Sequence, residues 1–198
     1  MKVLLSLAGC CLAALVASGC GGGSKNASSS PTVSGAASTG VPQLDTVIAV
    51  VERRDSTSFR QLLEFTPMAC TDELGEGGPP KCAAGEAKGT NVTVFQFQTC
   101  AIDWRTETTV DSAIAELMAI FPKRYAAFKP AAAYPVGGDY VAVFEGPDRR
   151  TNGTGSRGAA VAVSNGRVVG LWLQCGAASG VNGLIPAGRT AFLLPPPH

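Results

Sequence analysis

Histidine is almost absent from this sequence, and its scarcity argues against a large class of catalytic sites. The 198 residues include one histidine, His198, which follows three prolines at the end of the chain. A serine or cysteine nucleophile with a histidine base would have to use that imidazole, and the motif Gly-x-Ser-x-Gly does not occur. No Cys-x-x-Cys pair supplies the usual zinc ligands. We therefore expect neither a metal nor a cofactor.

Charged residues are also few. Asp, Glu, Lys and Arg make up 16% of the chain, and the formal net charge is +1. Removal of an N-terminal segment containing Lys2 would reduce the 16 basic residues to 15, against 15 acidic residues. A nucleic-acid-binding domain needs clustered basic side chains, so we expect no nucleic-acid partner.

The apolar run at the start of the chain is shorter than a membrane-spanning helix requires. Lys2 supplies a positive charge, and residues 3–16 are uncharged and mostly apolar. A spanning helix needs about 18–20 such residues. The small residues Ala17, Ser18 and Gly19 follow. This order is typical of a secretory signal peptide, which we assign to residues 1–19.

Two tetrapeptides in this region, LAGC ending at Cys10 and ASGC ending at Cys20, resemble the lipobox of bacterial lipoproteins. The resemblance implies that the cysteine becomes the first residue of the mature protein and carries a diacylglyceryl group and often a further acyl chain such as palmitate. LAGC fits the consensus better, but cleavage there would leave an apolar region of only about seven residues. We therefore favour Cys20. Several acyl chains would anchor the protein in the cell membrane or outer membrane, with its domain on the extracytoplasmic side.

The mature chain divides into a linker and one domain. Residues 20–41 begin with the predicted lipidated cysteine and are rich in glycine and serine, which predicts a flexible tether. Residues 42–198 are the right length for a single domain. We expect the membrane to be a partner through the anchor, and the sequence identifies no other ligand or protein partner.

Four cysteines remain in the domain, and export favours their oxidation. Three disulfide connectivities are possible. We favour Cys70–Cys82, because the eleven residues between them form a Gly- and Pro-rich loop, and Cys100–Cys175 then follows.

Three helices are predicted from apolar side chains at helical spacing. Asp55 or Ser56 can cap the second helix, which Pro67 would end, and 108–111 match a capping box for the third, which Pro122 would end. The expected buried stripes are Leu44, Val47, Ile48 and Val51; Phe59, Leu62 and Leu63; and Ile114, Leu117, Met118 and Phe121.

Strands are predicted at 91–99, 140–145, 159–164 and 167–175. Asn165-Gly166 indicates a type I′ hairpin between the last two strands. Such a turn would pair Val163 with Val168 and Ala160 with Leu171. The expected faces are Leu171, Leu173 and Cys175 on one side, and Val161, Val163 and Trp172 on the other.

These elements predict an α+β fold in which N-terminal helices pack on a curved antiparallel sheet. The element order and the segment LDTVIAVVERRDSTSFRQLLEF resemble the NTF2-like (SnoaL-like) cone fold. The segment LGEGGPPKCAAGEAKGT resembles a motif of an uncharacterised exported bacterial family, in which Glu76 would be an insertion. This second resemblance implies a family without implying an activity.

Few residues are candidates for chemistry. Gly153, Gly155 and Gly158 match the motif Gly-x-Gly-x-x-Gly. A strand follows the motif, whereas a dinucleotide-binding site needs a helix there, so we interpret the segment as a loop. We expect its three arginines, Arg149, Arg150 and Arg157, to be solvated. The NTF2-like resemblance implies a carboxylate base and a polar donor inside the cone. Asp103, Tyr140 and Glu145 are the available candidates, and the alternative is that each is an ordinary polar side chain at a strand edge or on the surface. Trp104 and Trp172 are expected in the core or on a sheet face.

The sequence therefore favours a non-catalytic, lipid-anchored envelope protein with a binding or structural role. The alternative is an NTF2-like small-molecule-binding protein or enzyme that uses a polar cone pocket.

The anchor can be tested with the full chain in a bacterium that processes lipoproteins. We expect palmitate to label the wild type and Cys10→Ala but not Cys20→Ala, because only the cysteine at the cleavage site receives the thioether-linked lipid. Loss of label in Cys10→Ala, with retention in Cys20→Ala, would place cleavage at the earlier site.

Overall fold

The computed structural model describes residues 37–197, apart from 74–76, 132–133, 149–154, 176–179 and 189–190. The signal peptide, Cys20 and most of the linker lie outside the described residues. So do Glu76, Arg149, Arg150, Gly153 and His198.

In the described part of the chain, three α-helices form where apolar side chains recur at helical spacing: α1 (Pro42–Glu52), α2 (Ser56–Leu62) and α3 (Asp111–Ile120). The predicted stripes are buried except for Leu62, which is only partly buried. Asp55 caps α2 by accepting a hydrogen bond from the Ser58 N–H at 3.0 Å. None of these described helices is long and apolar enough to cross a membrane.

Two details of the predicted helix ends are wrong. The N-cap of α3 is Val110, without a side-chain cap, because the hydroxyls of Thr108 and Thr109 bond to Thr106 instead of forming the predicted capping box. Pro67 does not end α2, which stops at Leu62; it lies in a strand that the sequence did not predict.

The described residues contain seven strands, which form one curved, mostly antiparallel sheet in the order β1-β2-β7-β6-β5-β4, with β3 paired to β2. Their bounds are β1 (Thr66–Ala69), β2 (Asn91–Gln98), β3 (Ile102–Thr106), β4 (Lys123–Phe128), β5 (Tyr140–Asp148), β6 (Gly155–Ser164) and β7 (Arg167–Leu173). The parallel pair is β2 with β7. The predicted α+β class, with N-terminal helices on a curved sheet, is confirmed. The sequence did not predict the short strands β1, β3 and β4.

The β6–β7 hairpin turns at Asn165 and Gly166, whose φ angles of 49° and 76° are those of the predicted type I′ turn. Val163 pairs with Val168 as predicted, but Ala160 pairs with Trp172 rather than Leu171. A register shift between Ala162 and Val163 inserts one extra residue into β7.

The bulge changes which side chains of β7 share a face of the sheet with those of β6. Val161 and Val163 share the helix-side core with Leu171 and Leu173, whereas Trp172 packs on the other side of the sheet. Cys175 lies beyond the end of β7 rather than within the strand.

Both faces of the sheet bear an apolar cluster. Helices α1–α3 cover one face, where Phe59, Phe95, Phe121 and Phe144 are fully buried. The opposite face, here called the outer face, carries a smaller cluster on β4–β7. Two segments cover the outer face: residues 134–136 and the 3₁₀ helix Val181–Leu184, which we call the two straps.

The two disulfides join Cys70 to Cys82 and Cys100 to Cys175, as predicted. The first closes the loop after β1. The second connects the β2–β3 turn to the residue just beyond Gln174 at the end of β7, so it joins parts of the chain that are 75 residues apart.

The two disulfides should differ in their contribution to stability. Chain entropy predicts about 4.5 kcal/mol for the long Cys100–Cys175 loop and about 3 kcal/mol for the short Cys70–Cys82 loop. We therefore expect Cys100→Ala/Cys175→Ala to lower the free energy of unfolding by more than Cys70→Ala/Cys82→Ala, measured by urea denaturation. An equal or reversed order would contradict this entropic explanation.

The chain just before α1 is held against the helix. Asp45 accepts hydrogen bonds from the Ser38 hydroxyl and, at 2.9 Å, from the Thr39 N–H. Arg124 on β4 donates to the Ala37 carbonyl at 2.9 Å. Burial opposes ionisation of Asp45, but these hydrogen bonds and the charge of Arg124 outweigh it, so the pKa of Asp45 is lowered.

The lowered pKa of Asp45 predicts a pH dependence of stability. Its contribution is present above the unfolded pKa of 3.8 and is lost as the pH falls through the lower folded pKa. We expect Asp45→Asn to lower the free energy of unfolding by about 1 kcal/mol at pH 7, with a difference that shrinks below about pH 4. Urea denaturation across pH measures this, with the exposed Asp72→Asn as the control. A constant difference at all pH values would rule out the ionised carboxylate as the cause.

Candidate functional site

Asp103 lies on β3, a strand at the edge of the sheet. It lies in β3, where one carboxylate oxygen accepts the Trp104 N–H at 2.8 Å and the other pairs with Arg105 at 2.7 Å. Its partner in β2 is Phe97, which places it on the helix side of the sheet. Because both of its oxygens have partners, Asp103 resembles an edge-protecting residue more than a catalytic base.

Tyr140 and Glu145 stand at different positions of β5. Tyr140 packs against the helix-side cluster, and the Lys129 ammonium lies 5.6 Å from its ring centre. Glu145 forms an ion pair with Lys123 at 3.4 Å beside an open groove of about 300 Å³. Strand alternation directs residues 140 and 145 to opposite faces.

The three predicted candidates therefore do not converge on one pocket. Strands β2, β7 and β6 separate β3, which carries Asp103, from β5. The helix side between them is filled by apolar side chains.

Arg157 corrects a further expectation, because it is not a solvated charge. Its guanidinium donates to the Gln174 carbonyl from Nε at 3.0 Å and lies 5.7 Å from the Phe121 ring centre. Its side chain is 13% exposed. Gly155 and Gly158, expected in a loop, belong to strand β6.

An apolar cavity lies on the outer face, between the two straps. We call it the Trp172 groove. Its volume is about 330 Å³, close to the lower limit for small-molecule sites. It is lined by Ala131, Tyr134, Pro135, Trp172, Gly183, Leu184, Ile185 and Pro186, none of which carries a charge.

Tyr134 joins the two straps above the groove. Its hydroxyl donates to the Leu184 carbonyl at 2.8 Å, and burial raises its pKa, so it is a neutral donor. Its ring meets that of Trp172 at a centroid distance of 6.1 Å. A second bond, from the Tyr125 hydroxyl to Asn182 at 2.7 Å, holds the 3₁₀ helix.

Two glycines allow the straps to approach the sheet. A Cβ on Gly158 would lie 2.5 Å from Leu184 Cδ1, and a Cβ on Gly170 would lie 2.7 Å from the Val136 carbonyl oxygen. A larger residue at either position would push the strap above it away from the sheet. No sequence pattern marks Tyr134 or Gly170 as a site residue, and the glycine motif that contains Gly158 predicts a loop, because the roles of all three depend on contacts between distant segments.

Metal binding finds no support in the described residues, where no group of three or more His, Cys, Asp or Glu side chains could hold an ion. The polar groups near the groove are amides, hydroxyls and an indole.

Comparison with known proteins yields only weak structural similarity. No family model and no curated protein matches the chain. Similar solved structures include a de novo designed protein with a curved β-sheet, at 10% identity and a TM-score of 0.36 over 72% of this chain and 91% of that one. A putative isomerase from Bacillus subtilis is 14% identical, with a TM-score of 0.30 over 67% of this chain and 83% of that one. Similarities this low carry no argument about function.

Proposed function

We propose that this protein is a lipid-anchored, exported binding protein of the cell envelope that holds an uncharged small ligand in the Trp172 groove. The two disulfides fit an extracytoplasmic location. The lipobox resemblance supports attachment through Cys20 to the cell membrane or outer membrane, with the domain on the extracytoplasmic side.

The observation that carries the binding role is the construction of the groove. Trp172 is only partly buried, although it stands on a central strand between two covering segments. Hydrogen bonds from Tyr134 and Tyr125 hold one strap in place. A rigid aromatic wall can bind a ligand at a low entropic cost, because little has to be ordered on binding.

The absence of charge from the groove lining selects the ligand type. A charged ligand would lose its hydration without gaining an ion pair. An uncharged ligand with apolar surface gains from contact with Trp172, Leu184 and Ile185.

An NTF2-like enzyme with a polar cone is the alternative. It is less well supported, because Asp103 and Glu145 each have an ion-pair partner and stand on separated strands. A binding role needs no such convergence.

The groove can be tested with the uncharged fluorescent probe N-phenyl-1-naphthylamine and the mature chain carrying Cys20→Ala, which removes the lipid. We expect the probe to bind, and Trp172→Ala to weaken its affinity at least tenfold because one wall is lost. Trp172→Phe, a milder change, should give an intermediate loss.

Tyr140→Ala is the matched control, since it removes a partly buried aromatic ring on the helix side of the sheet, away from the groove. Circular dichroism confirms that each variant folds. Equal affinities for Trp172→Ala and Tyr140→Ala, or no binding to the wild type, would contradict a binding role for the groove.

A further inference from the structure

The outer face continues beyond the groove onto β2 and β3. Gln98 is the neighbour of Trp172 across the β2–β7 pair, and Gln96 is the neighbour of Trp104 across the β2–β3 pair. Cross-strand neighbours share a face, so these four side chains form one surface. We call it the Gln–Trp strip: Gln96, Gln98, Trp104 and Trp172.

The strip is continuous with the groove. The Gln96 amide donates to the Pro135 carbonyl at 2.9 Å, and Pro135 lines the groove together with Trp172. Asp103 and Arg105, the charged neighbours on β3, lie on the helix side, where Arg105 stacks 5.0 Å from the centre of the Phe97 ring. The strip itself therefore carries no charge.

Gln98 has an unusual hydrogen-bonding state. Its side-chain carbonyl oxygen is buried and has no partner in the described part of the chain. An orphaned acceptor costs about 1–3 kcal/mol, so such groups are rare and call for an explanation. Gln98 as a whole is only partly buried, so a change of rotamer can present its amide to a ligand beside Trp172.

The two tryptophans of the strip are held in fixed orientations. The Trp104 indole N–H donates to the Gly78 carbonyl at 2.7 Å, in the loop that the Cys70–Cys82 disulfide closes. Trp172 is held by the edge of Tyr134. The Trp172 indole N–H has no hydrogen bond among the described residues and is left as a donor.

The spacing of the tryptophans suits a ligand of several rings. They are separated by two strand steps and by two residues along the strands, which is about 10 Å across and about 7 Å along. A single small ring cannot contact both. A short chain of rings can stack on both and meet the glutamines between them.

Building on the proposed binding function, we propose that the groove and the Gln–Trp strip form one site for a neutral oligosaccharide. The apolar faces of sugar rings pack on indole faces. Sugar hydroxyls can donate to the Gln98 and Gln96 carbonyl oxygens and accept from the Trp172 N–H. A purely apolar chain would leave the glutamine amides unused, and an anionic glycan would find no cation in the strip.

The test uses the two tryptophans as reporters, since the chain contains no others. The mature chain with Cys20→Ala is applied to an array of neutral oligosaccharides that includes maltohexaose, cellohexaose and chitohexaose. Bound sugars are then titrated by fluorescence into Trp104→Phe, which reports from Trp172, and into Trp172→Phe, which reports from Trp104. We expect the same sugar to change the tryptophan fluorescence of both variants, and each change to reach a plateau as the sugar concentration rises.

Gln98→Leu separates a ligand-binding role from a structural one. We expect it to weaken sugar affinity at least tenfold while leaving the urea midpoint unchanged or higher, because an orphaned buried acceptor is removed. Gln43→Leu, on the exposed side of α1, is the matched control and should bind normally.

A response confined to Trp172 would overturn the oligosaccharide site and leave the groove as the whole site. Absence of any bound sugar would also overturn the oligosaccharide site. The titration with N-phenyl-1-naphthylamine tests separately whether the groove binds a ligand. Normal sugar affinity in Gln98→Leu would remove the glutamine from the site and contradict the proposal.

Discussion

The close approach of the two straps to the outer face of the sheet is the constraint on which the rest of the candidate site depends. This approach is possible because Gly158 and Gly170 have no side chain at the points where Leu184 and Val136 contact the sheet. The straps then meet through the hydrogen bond from Tyr134 to Leu184. Since the sheet face beneath them is apolar, this contact stabilises the fold and leaves a gap above Trp172 that nothing in the described chain fills.

A single extra residue in β7 decides what stands in that gap. With an uninterrupted β6–β7 ladder, Trp172 would share a face with Val161 and Val163. The bulge shifts the register, so those valines enter the helix-side core and Trp172 turns to the outer face. Because side chains alternate along a strand, one inserted residue reverses the assignment of every position beyond it.

The charged residues show how tertiary contacts change the meaning of a side chain. Asp103 was a reasonable candidate base, yet it bonds to Trp104 and Arg105 at an unpaired strand edge. Arg157, expected in water, instead donates a hydrogen bond to the backbone carbonyl of Gln174. The side-chain amide of Gln174 in turn accepts from the Gly158 N–H and donates to the Gly180 carbonyl. The polar groups of this domain thus mainly satisfy backbone ends and edges, which leaves the amides and indoles of the outer face as the candidates for recognition.

The sequence by itself determined the local features of the described domain: the three helices, the Asn165-Gly166 hairpin, four of the seven strands and the α+β class. It favoured the disulfide pairing that the structure contains without excluding the other two connectivities. These depend on residue spacing, turn chemistry and cysteine number, which act over short distances or by count. Only the tertiary structure decided the order of the strands, the parallel β2–β7 pair and the outward position of Trp172. It also decided that Gln98 lies beside Trp172, because that contact joins residues 74 positions apart through a pairing that no local pattern encodes.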